Sequence, residues 1–493
     1  MGIQRTMKLM LCMSLVFAFH FSLITSVSAQ VSPLDYGLRE ATSGMGRYFA
    51  LYNAHMAALQ MGVEVDYEGI DTLEIELPPS FKTIPLGPKT DFKGLVLYVT
   101  NNAKHCALFS LTATATPLEL DKALVDGRDF RSVPELAQGV KLLVLNDKHP
   151  WSERRGYGYK QYRADIMVLH DGLGLNAPVA PWNTDSTVLQ ASYYDIDTVA
   201  KTFRNLTMHR TKGCTFRTNL INISGQYNLS IENVHVTTPK SKMIADGIFS
   251  LSNSARISFF DVTVDGTYSG YGATRDYGYA FSMNNVWDAH FQRVVADGNW
   301  GVFGTNNLSH TQLFDCDINR FDIHCYGRDV WLKGCTLRQR QTQFASMYGT
   351  VEYDSCHFID CIPLRIRSSY NAYTPFDIVM NDCTFELTPR YHALVNVMLL
   401  DTADNPRPEL KEKCWPNLTV NRMTVVVPWT VGSMILYHPT GTLSELRREF
   451  GHISEVYVGG LKMVRPNGTP VKVPLRLWSR EYMTINALEY TVE

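Results

Sequence analysis

One nine-residue pattern recurs along this chain of 493 residues and limits its fold more than any other feature. HTQLFDCDI (310–318) and DVWLKGCTL (329–337) both alternate apolar residues, then carry two polar residues, a Cys, a polar residue and an apolar one. Earlier copies are AKTFRNLTM (200–208), NLSIENVHV (228–236), RISFFDVTV (256–264) and DAHFQRVVA (288–296). Later copies are TVEYDSCHF (350–358), DIVMNDCTF (377–385) and NLTVNRMTV (417–425). Their seventh residues are Leu206, Val234, Val262, Val294, Cys316, Cys335, Cys356, Cys383 and Met423, separated by 28, 28, 32, 22, 19, 21, 27 and 40 residues. A unit this short cannot bury its own apolar face, so neighbouring units must stack and share one core, as in a solenoid. The apolar period inside each unit is two, which makes the units strands. Constant strands with variable loops fit an all-β, right-handed, single-stranded parallel β-helix.

Two further columns follow from the same registration. Phe249, Phe281, Phe303, Phe321 and Phe344 each precede a repeat strand by a similar distance, so they should stack inward. The pairs Asn284–Asn285 and Asn306–Asn307 come next, and amides in such a column can bond between coils and to turn backbone. Cys316, Cys335, Cys356 and Cys383 should form an inward ladder of small, free thiols rather than a metal site.

Around this regular region, 200–425, the sequence divides as follows. Residues 1–29 carry Arg5 and Lys8, an apolar run and Ser-Val-Ser-Ala before Gln30, the pattern of a secretory signal. Residues 30–62 should form an N-terminal cap, with a helix over 44–62 presenting Tyr48, Leu51, Tyr52, Met56 and Leu59 to the open end of the solenoid. Irregular opening coils are expected over 63–199, and terminal coils or a small β cap over 426–493. No later stretch is apolar enough to cross a bilayer, so the mature chain is expected to be secreted, to the periplasm or cell surface of a Gram-negative bacterium, and monomeric. Loss of Arg5 and Lys8 takes the formal charge from −2 to −4. Without a polybasic footprint, nucleic acid is excluded as a partner.

On these features the chain resembles the pectin-lyase-like superfamily of right-handed β-helices, over roughly residues 63–425, and secreted carbohydrate-active proteins of glycan-degrading gut bacteria. KMIADGI (242–248) is similar to the Asn-Thr-Asp-Gly strand of polygalacturonases at Asp246 and Gly247. The Asp-Asp pair and Gly-His-Gly of that family do not follow, and neither does the acidic calcium cluster of pectate lyases. The resemblance implies a polysaccharide lyase or glycosidase, and in β-helical lyases of glycosaminoglycans and alginate Lys and Arg on the long sheet do the work.

If inward positions belong to the repeat, the polar residues between them should form outward columns. One face is expected to gather Arg320, Asp322, His324, Tyr326, Arg328, Lys333, Arg338 and Arg340, joined by Arg365, Arg367, Tyr370 and Tyr373. Such a positive groove in a nearly neutral chain suits an anionic polymer. β-Elimination of a uronate polymer needs a carboxylate clamp, a base and an acid. Arg328 and Arg367 are the expected clamp, His324 the base, and Tyr326 or Tyr277 the acid. Arg320, Lys333, Arg338, Arg340, Arg365, Tyr277 and Trp331 are expected to hold the chain of sugars. A glycosidase would instead need two carboxyl groups about 5–9.5 Å apart, for which Asp322 with Asp297 or Asp317 are the candidates. A non-catalytic glycan binder would use Trp287, Trp300, Trp331, Tyr268, Tyr271, Tyr277 and Tyr279 as stacking platforms. No cofactor is required; Asp315, Asp317 and Asp322 are near enough in sequence to leave a bridging calcium open, though no oxygen-ligand motif demands one.

Overall fold

The computed structural model describes residues 30–490, apart from 102–104, 155–158, 179–186, 212–216, 238–246, 266–278, 297–300, 325, 339–341, 345–346, 361–363, 367–375, 388–393, 402–415, 429–432, 441–453, 473–474 and 477–482. The leader expected at 1–29 lies outside the described residues. The chain is a right-handed parallel β-helix in which each coil adds one strand to each of three sheets. We name the sheets by their side chains. The Phe sheet carries Phe249, Phe281 and Phe303 inward, the Trp sheet carries Trp287 and Trp331 on its outer side, and the Cys sheet carries the cysteine ladder inward. Strand Phe249–Asp265 runs through all three sheets in one pass.

The registration read from the repeat is the registration observed. Leu206 pairs with Val234 and Val234 with Val262. Thr336, His357, Thr384 and Thr424 donate from their amides to the carbonyls of Cys316, Cys335, Cys356 and Cys383 at 2.8–2.9 Å. The four thiols are buried and free. Burial pushes the Cys383 thiol up to about 12, so it is no nucleophile at neutral pH. The inward phenylalanines stack with ring centroids 5.1 Å apart between Phe249 and Phe281 and 4.9 Å between Phe281 and Phe303. Each such pair contributes about 0.5–1.5 kcal/mol beyond its burial.

The corners explain the polar slots of the repeat. Between the Trp and Cys sheets each coil from 205 to 422 turns on one left-handed residue, namely Asn205, Asn233, Asp261, Arg293, Asp315, Gly334, Ser355, Asp382 and Arg422, with φ between 51° and 64°. Asn, Asp and Gly tolerate this conformation best, which accounts for the sixth position of the pattern. Arg293 and Arg422 depart from that preference. Each is held by a bidentate ion pair to the corner Asp of the preceding coil, Asp261 and Asp382 respectively, at 2.6–2.7 Å. Between the Phe and Trp sheets the corner residues Asn253, Asn285 and Asn307 are also left-handed and form an amide ladder. Asn285 donates to Asn253 at 2.8 Å, Asn307 donates to Asn285, and Asn306 donates to Asn284 at 2.7 Å.

The N-terminal end is covered by helix α1, Gly44–Met61, which lies on strand Thr72–Leu77. Ser43 caps it by accepting from the Gly46 amide at 3.1 Å, and Gly62 ends it at φ 67°. At Gly44 a Cβ would come 2.9 Å from the backbone nitrogen of Glu76, so only glycine permits this close an approach. The buried stripe is Tyr48, Leu51, Ala54, His55 and Ala58. Leu59, expected to face inward, is 39% exposed, because the small alanines bring the helix nearest the coil on a neighbouring stripe. No helix among the described residues is long and apolar enough to cross a membrane.

The stretch expected to be irregular opening coils divides in two. Thr72–Leu77, Lys89–Asn101 and His105–Thr112 are coil strands: the first pairs with the second, the second with Lys201–Arg210 and the third with Arg217–Ser224. Between them the chain leaves the solenoid and builds a five-stranded antiparallel sheet from Thr116–Asp121, Val188–Asp195, Val140–Arg154, Tyr159–His170 and Leu173–Gly174. A hairpin strand alternates apolar and polar residues as a coil strand does, so the two read alike in sequence. One side of the sheet packs Leu143, Leu145, Met167 and Leu169 against Val125, Phe130 and Leu136. The other packs Leu142, Val144, Ile166 and Val168 against Tyr227, Ala255 and Trp287 of the Trp sheet. Beyond residue 425 parallel pairing continues as further coils to Met483–Tyr490.

Candidate functional site

The coil between the corners Asp315 and Gly334 is the shortest in the regular region, and its Phe-sheet strand is only Asp322–Ile323. Phe321 and Ile323 face the core with no exposure. Alternation therefore sends Arg320, Asp322 and His324 to the outer side together. The strand is registered by the Thr305–Ile323 pair, by the His324 amide donating to the Thr305 carbonyl at 2.8 Å, and by Thr305 Oγ1 donating to the Asp322 carbonyl at 2.7 Å.

A fourth residue reaches this group from two coils earlier. Tyr279 pairs with Gly301, and its ring lies over Gly304, where a Cβ would sit 2.7 Å from the ring carbons. The glycine gives the ring room to cross the intervening coil. Its hydroxyl then stands 3.3 Å from His324 Nε2, with the rings edge to face at 5.9 Å.

The electrostatics are those of a buried charge pair with a titratable group at its rim. Asp322 is fully buried, Arg320 Nη2 donates to its Oδ2, and His324 Nε2 lies 2.9 Å from the same oxygen. The Arg320 side chain is 4% exposed and that of His324 17%, so only the imidazole reaches solvent. A buried carboxylate is tolerable only when paired and hydrogen-bonded, and Arg320 supplies the pairing charge. Because a carboxylate accepts and cannot donate, Nε2 carries the hydrogen and the basic lone pair of the neutral ring lies on Nδ1. Asp322 thus fixes the tautomer and orientation of His324, as the second partner of a catalytic histidine does. The cluster can take a proton at the imidazole and hold a phenolic proton donor beside it.

The expectation of a single face carrying every candidate is overturned. Between residues 320 and 338 the chain passes through all three sheets, so residues adjacent in sequence end on different sides. Tyr326 takes the place after Asn307 in the corner ladder; it is buried, and its hydroxyl bonds the backbone of Ala164 in the antiparallel sheet. It is an anchor between the two units, not a solvent-facing acid. Arg328, Trp331 and Lys333 lie on the Trp sheet. Arg328 donates to the Pro178 carbonyl at 3.1 Å and stands 3.5 Å from Asp329, Trp331 lies 5.8 Å from the His310 ring, and Lys333 pairs with Asp354 at 2.9 Å. Arg338 is on the Cys sheet in a bidentate pair with Asp317 at 2.7 Å. That placement also separates Asp317 from Asp322, which belong to different sheets. Arg365 pairs with Gln343, which pairs with Asp322, so it occupies the register position of Asp322 two coils further on. Arg340, Arg367, Tyr277, Asp297 and Trp300 lie outside the described residues. Among the described residues no cluster of His, Cys, Asp and Glu could hold a metal ion.

No protein-family model and no curated protein matches the sequence. Among solved structures the chain is similar to the tailspike protein gp49 from Pseudomonas phage LKA1, with 12% identity over 88% of this chain and 81% of that one and a TM-score of 0.52. It is more loosely similar to the tailspike gp61 of Pseudomonas phage phi297, at 11% identity, 84% and 81% coverage and a TM-score of 0.41. PfbA, a surface adhesin of Streptococcus pneumoniae, follows at 10% identity, 93% and 92% coverage and a TM-score of 0.35. At such identities the likeness is one of fold, the parallel β-helix.

Proposed function

We propose that the chain cleaves an acidic, uronate-containing polysaccharide by β-elimination at the Arg320–Asp322–His324–Tyr279 cluster. The observation that carries this reading is a solvent-reaching imidazole held between a buried, arginine-paired carboxylate and a tyrosine hydroxyl 3.3 Å away. His324 takes the proton next to the uronate carboxyl group, and Tyr279 delivers one to the departing glycosidic oxygen. Arg320 is committed to Asp322, so the substrate carboxylate must be met by another cation. Arg365, at the register position of Asp322 two coils on and so roughly 10 Å along the sheet by coil spacing, is our choice.

Hydrolysis is the weaker reading. It needs two available carboxyl groups, whereas Asp322 is fully buried with Oδ2 held by Arg320 and His324, and Asp317 is paired with Arg338 on another sheet. The test is to incubate the purified protein with uronate polymers and follow the ultraviolet absorbance of unsaturated uronate ends together with total reducing ends. Elimination predicts that both rise, and that His324→Ala and Tyr279→Phe each lower the rate by roughly 10²–10⁴-fold. Reducing ends without the chromophore would replace elimination by hydrolysis, and unaffected rates in both variants would remove this cluster from the chemistry.

A further inference from the structure

A band of aromatic side chains crosses the outer side of the Trp sheet, on a different sheet from the Asp322–His324 cluster. Phe260, His290, Phe314 and Trp331 come from four successive coils and each is half-buried. Register places them in two neighbouring columns, Ser258–His290–Gln312–Trp331 and Phe260–Gln292–Phe314–Lys333. Aromatic and polar residues therefore alternate both along and across the coils. The rings are in contact along the diagonal, with Phe260 and His290 at 5.4 Å and His290 and Phe314 at 5.2 Å. His310, 5.8 Å from Trp331, continues the band toward the antiparallel sheet.

Two phenylalanines and a tryptophan, half-buried on the outer side of one sheet, leave a row of ring surface partly open to solvent. Alternation of rings with amides and hydroxyls suits a ligand that itself alternates. A pyranose presents a C–H face that packs on an aromatic ring, edged by hydroxyls that hydrogen-bond to Gln, Ser and Lys. The coil repeat of about 4.8 Å is close to the advance of one sugar along an extended glycan, so successive coils can meet successive sugars. The two columns end in Glu232 beside Phe260 and Glu352 beside Trp331, and Lys333 is paired with Asp354, so the edge of the band is net acidic and repels uronates; the sugars that fit here are neutral ones.

We propose that this face of the Trp sheet is a second, non-catalytic surface that holds a neutral stretch of polysaccharide by stacking. It rests on the reading that the protein handles polysaccharides but not on cleavage. The experiment is affinity electrophoresis through gels containing neutral or uronate-bearing polymers, run on the full chain, Phe260→Ala/Phe314→Ala, Trp331→Ala, Trp331→Tyr and His324→Ala, with thermal melting of each. Retardation of the full chain and of His324→Ala is expected. Apparent affinity should fall at least about tenfold in Phe260→Ala/Phe314→Ala and in Trp331→Ala, and Trp331→Tyr should recover part of it. Turnover of a short uronate oligosaccharide should not change in Phe260→Ala/Phe314→Ala.

Three results overturn the proposal. They are no retardation of the full chain in any gel, unchanged retardation in the aromatic variants, or a sedimentation change from oligomer to monomer in them, which would give the face to a second copy of the chain. If the double variant does not fold, the Trp331→Ala and Trp331→Tyr pair decides. Retention that depends on these aromatics, without unsaturated product from the full chain, would sink the elimination reading and leave the surface standing.

Discussion

His55 should make the N-terminal cap acid-labile, and the size of the effect can be worked out. It lies on the buried stripe of α1, with Nε2 2.6 Å from the Tyr67 hydroxyl and its ring 6.1 Å from that of Phe109. Its Nδ1 has no hydrogen-bond partner among the described residues. Burial lowers its pKa from 6.5 to about 3. Below pH 6.5 the unfolded chain therefore binds a proton that the folded cap refuses. The stability is fully present above 6.5 and is lost progressively as the pH falls toward 3. Over the whole window the loss approaches about 5 kcal/mol, and between pH 7 and pH 5 it is about 2 kcal/mol. His55→Gln keeps a polar partner for Tyr67 and does not titrate. Hydrogen exchange of peptides from 44–61, read for both proteins at each pH so that intrinsic exchange cancels, is the assay. The opening equilibrium of the native chain relative to His55→Gln should rise about 25-fold from pH 7 to pH 5. A ratio that does not move would mean that the cap does not hold His55 neutral, and would refute the reasoning.

Other expectations can be checked with simpler measurements. Asn307→Ala should lower the melting temperature more than Asn307→Gly, because both lose the amide bonds to Asn285 and Ala164 but only alanine adds left-handed strain of about 1–2 kcal/mol. Tyr326→Phe should cost about 1–3 kcal/mol, by removing the hydroxyl that accepts from the Ala164 amide while the Ala164 carbonyl keeps Asn307, and should speed proteolysis within Tyr159–His170 before any coil is cut. Cys316, Cys335, Cys356 and Cys383 should escape alkylation in the native protein at neutral pH and react on denaturation, as peptide mapping will show.

The solenoid was legible because its constraints repeat. Once nine copies of a slot hold Leu, Val, Cys or Met, the inward column is determined, and the Cys, Phe and Asn columns stand where the pattern puts them. Part of the site was legible for a related reason: Arg320, Asp322 and His324 alternate with core residues on one short strand. Beyond His324 the same reading failed, since it took nearness in sequence for nearness in space while the chain turned two corners. Tyr326, Arg328, Trp331, Lys333 and Arg338 were dispersed by those corners. Tyr279 was expected only as a sugar platform, and its reach to His324 is a long-range contact whose one sequence trace is Gly304, a position without a side chain between larger neighbours. The antiparallel sheet was hidden because period two does not distinguish a hairpin from a coil.

The left-handed corner between the Trp and Cys sheets has a consequence for how such a chain can change length. From Asn205 to Arg422 this corner stays a single residue, while coils differ in length elsewhere, as at Gly349, where Met347–Asp354 holds one residue more than the strand before it. It is therefore a natural splice point. Joining the chain from one such corner to the next removes a whole turn and leaves every remaining strand facing its former kind of neighbour. Excising 316–334 would drop the coil that carries Asp322 and His324 and bring corner Asp315 directly to Cys335. Duplication by the same cut would lengthen the rod by one storey. The protein's chemistry and its length are thus separately adjustable, one coil at a time.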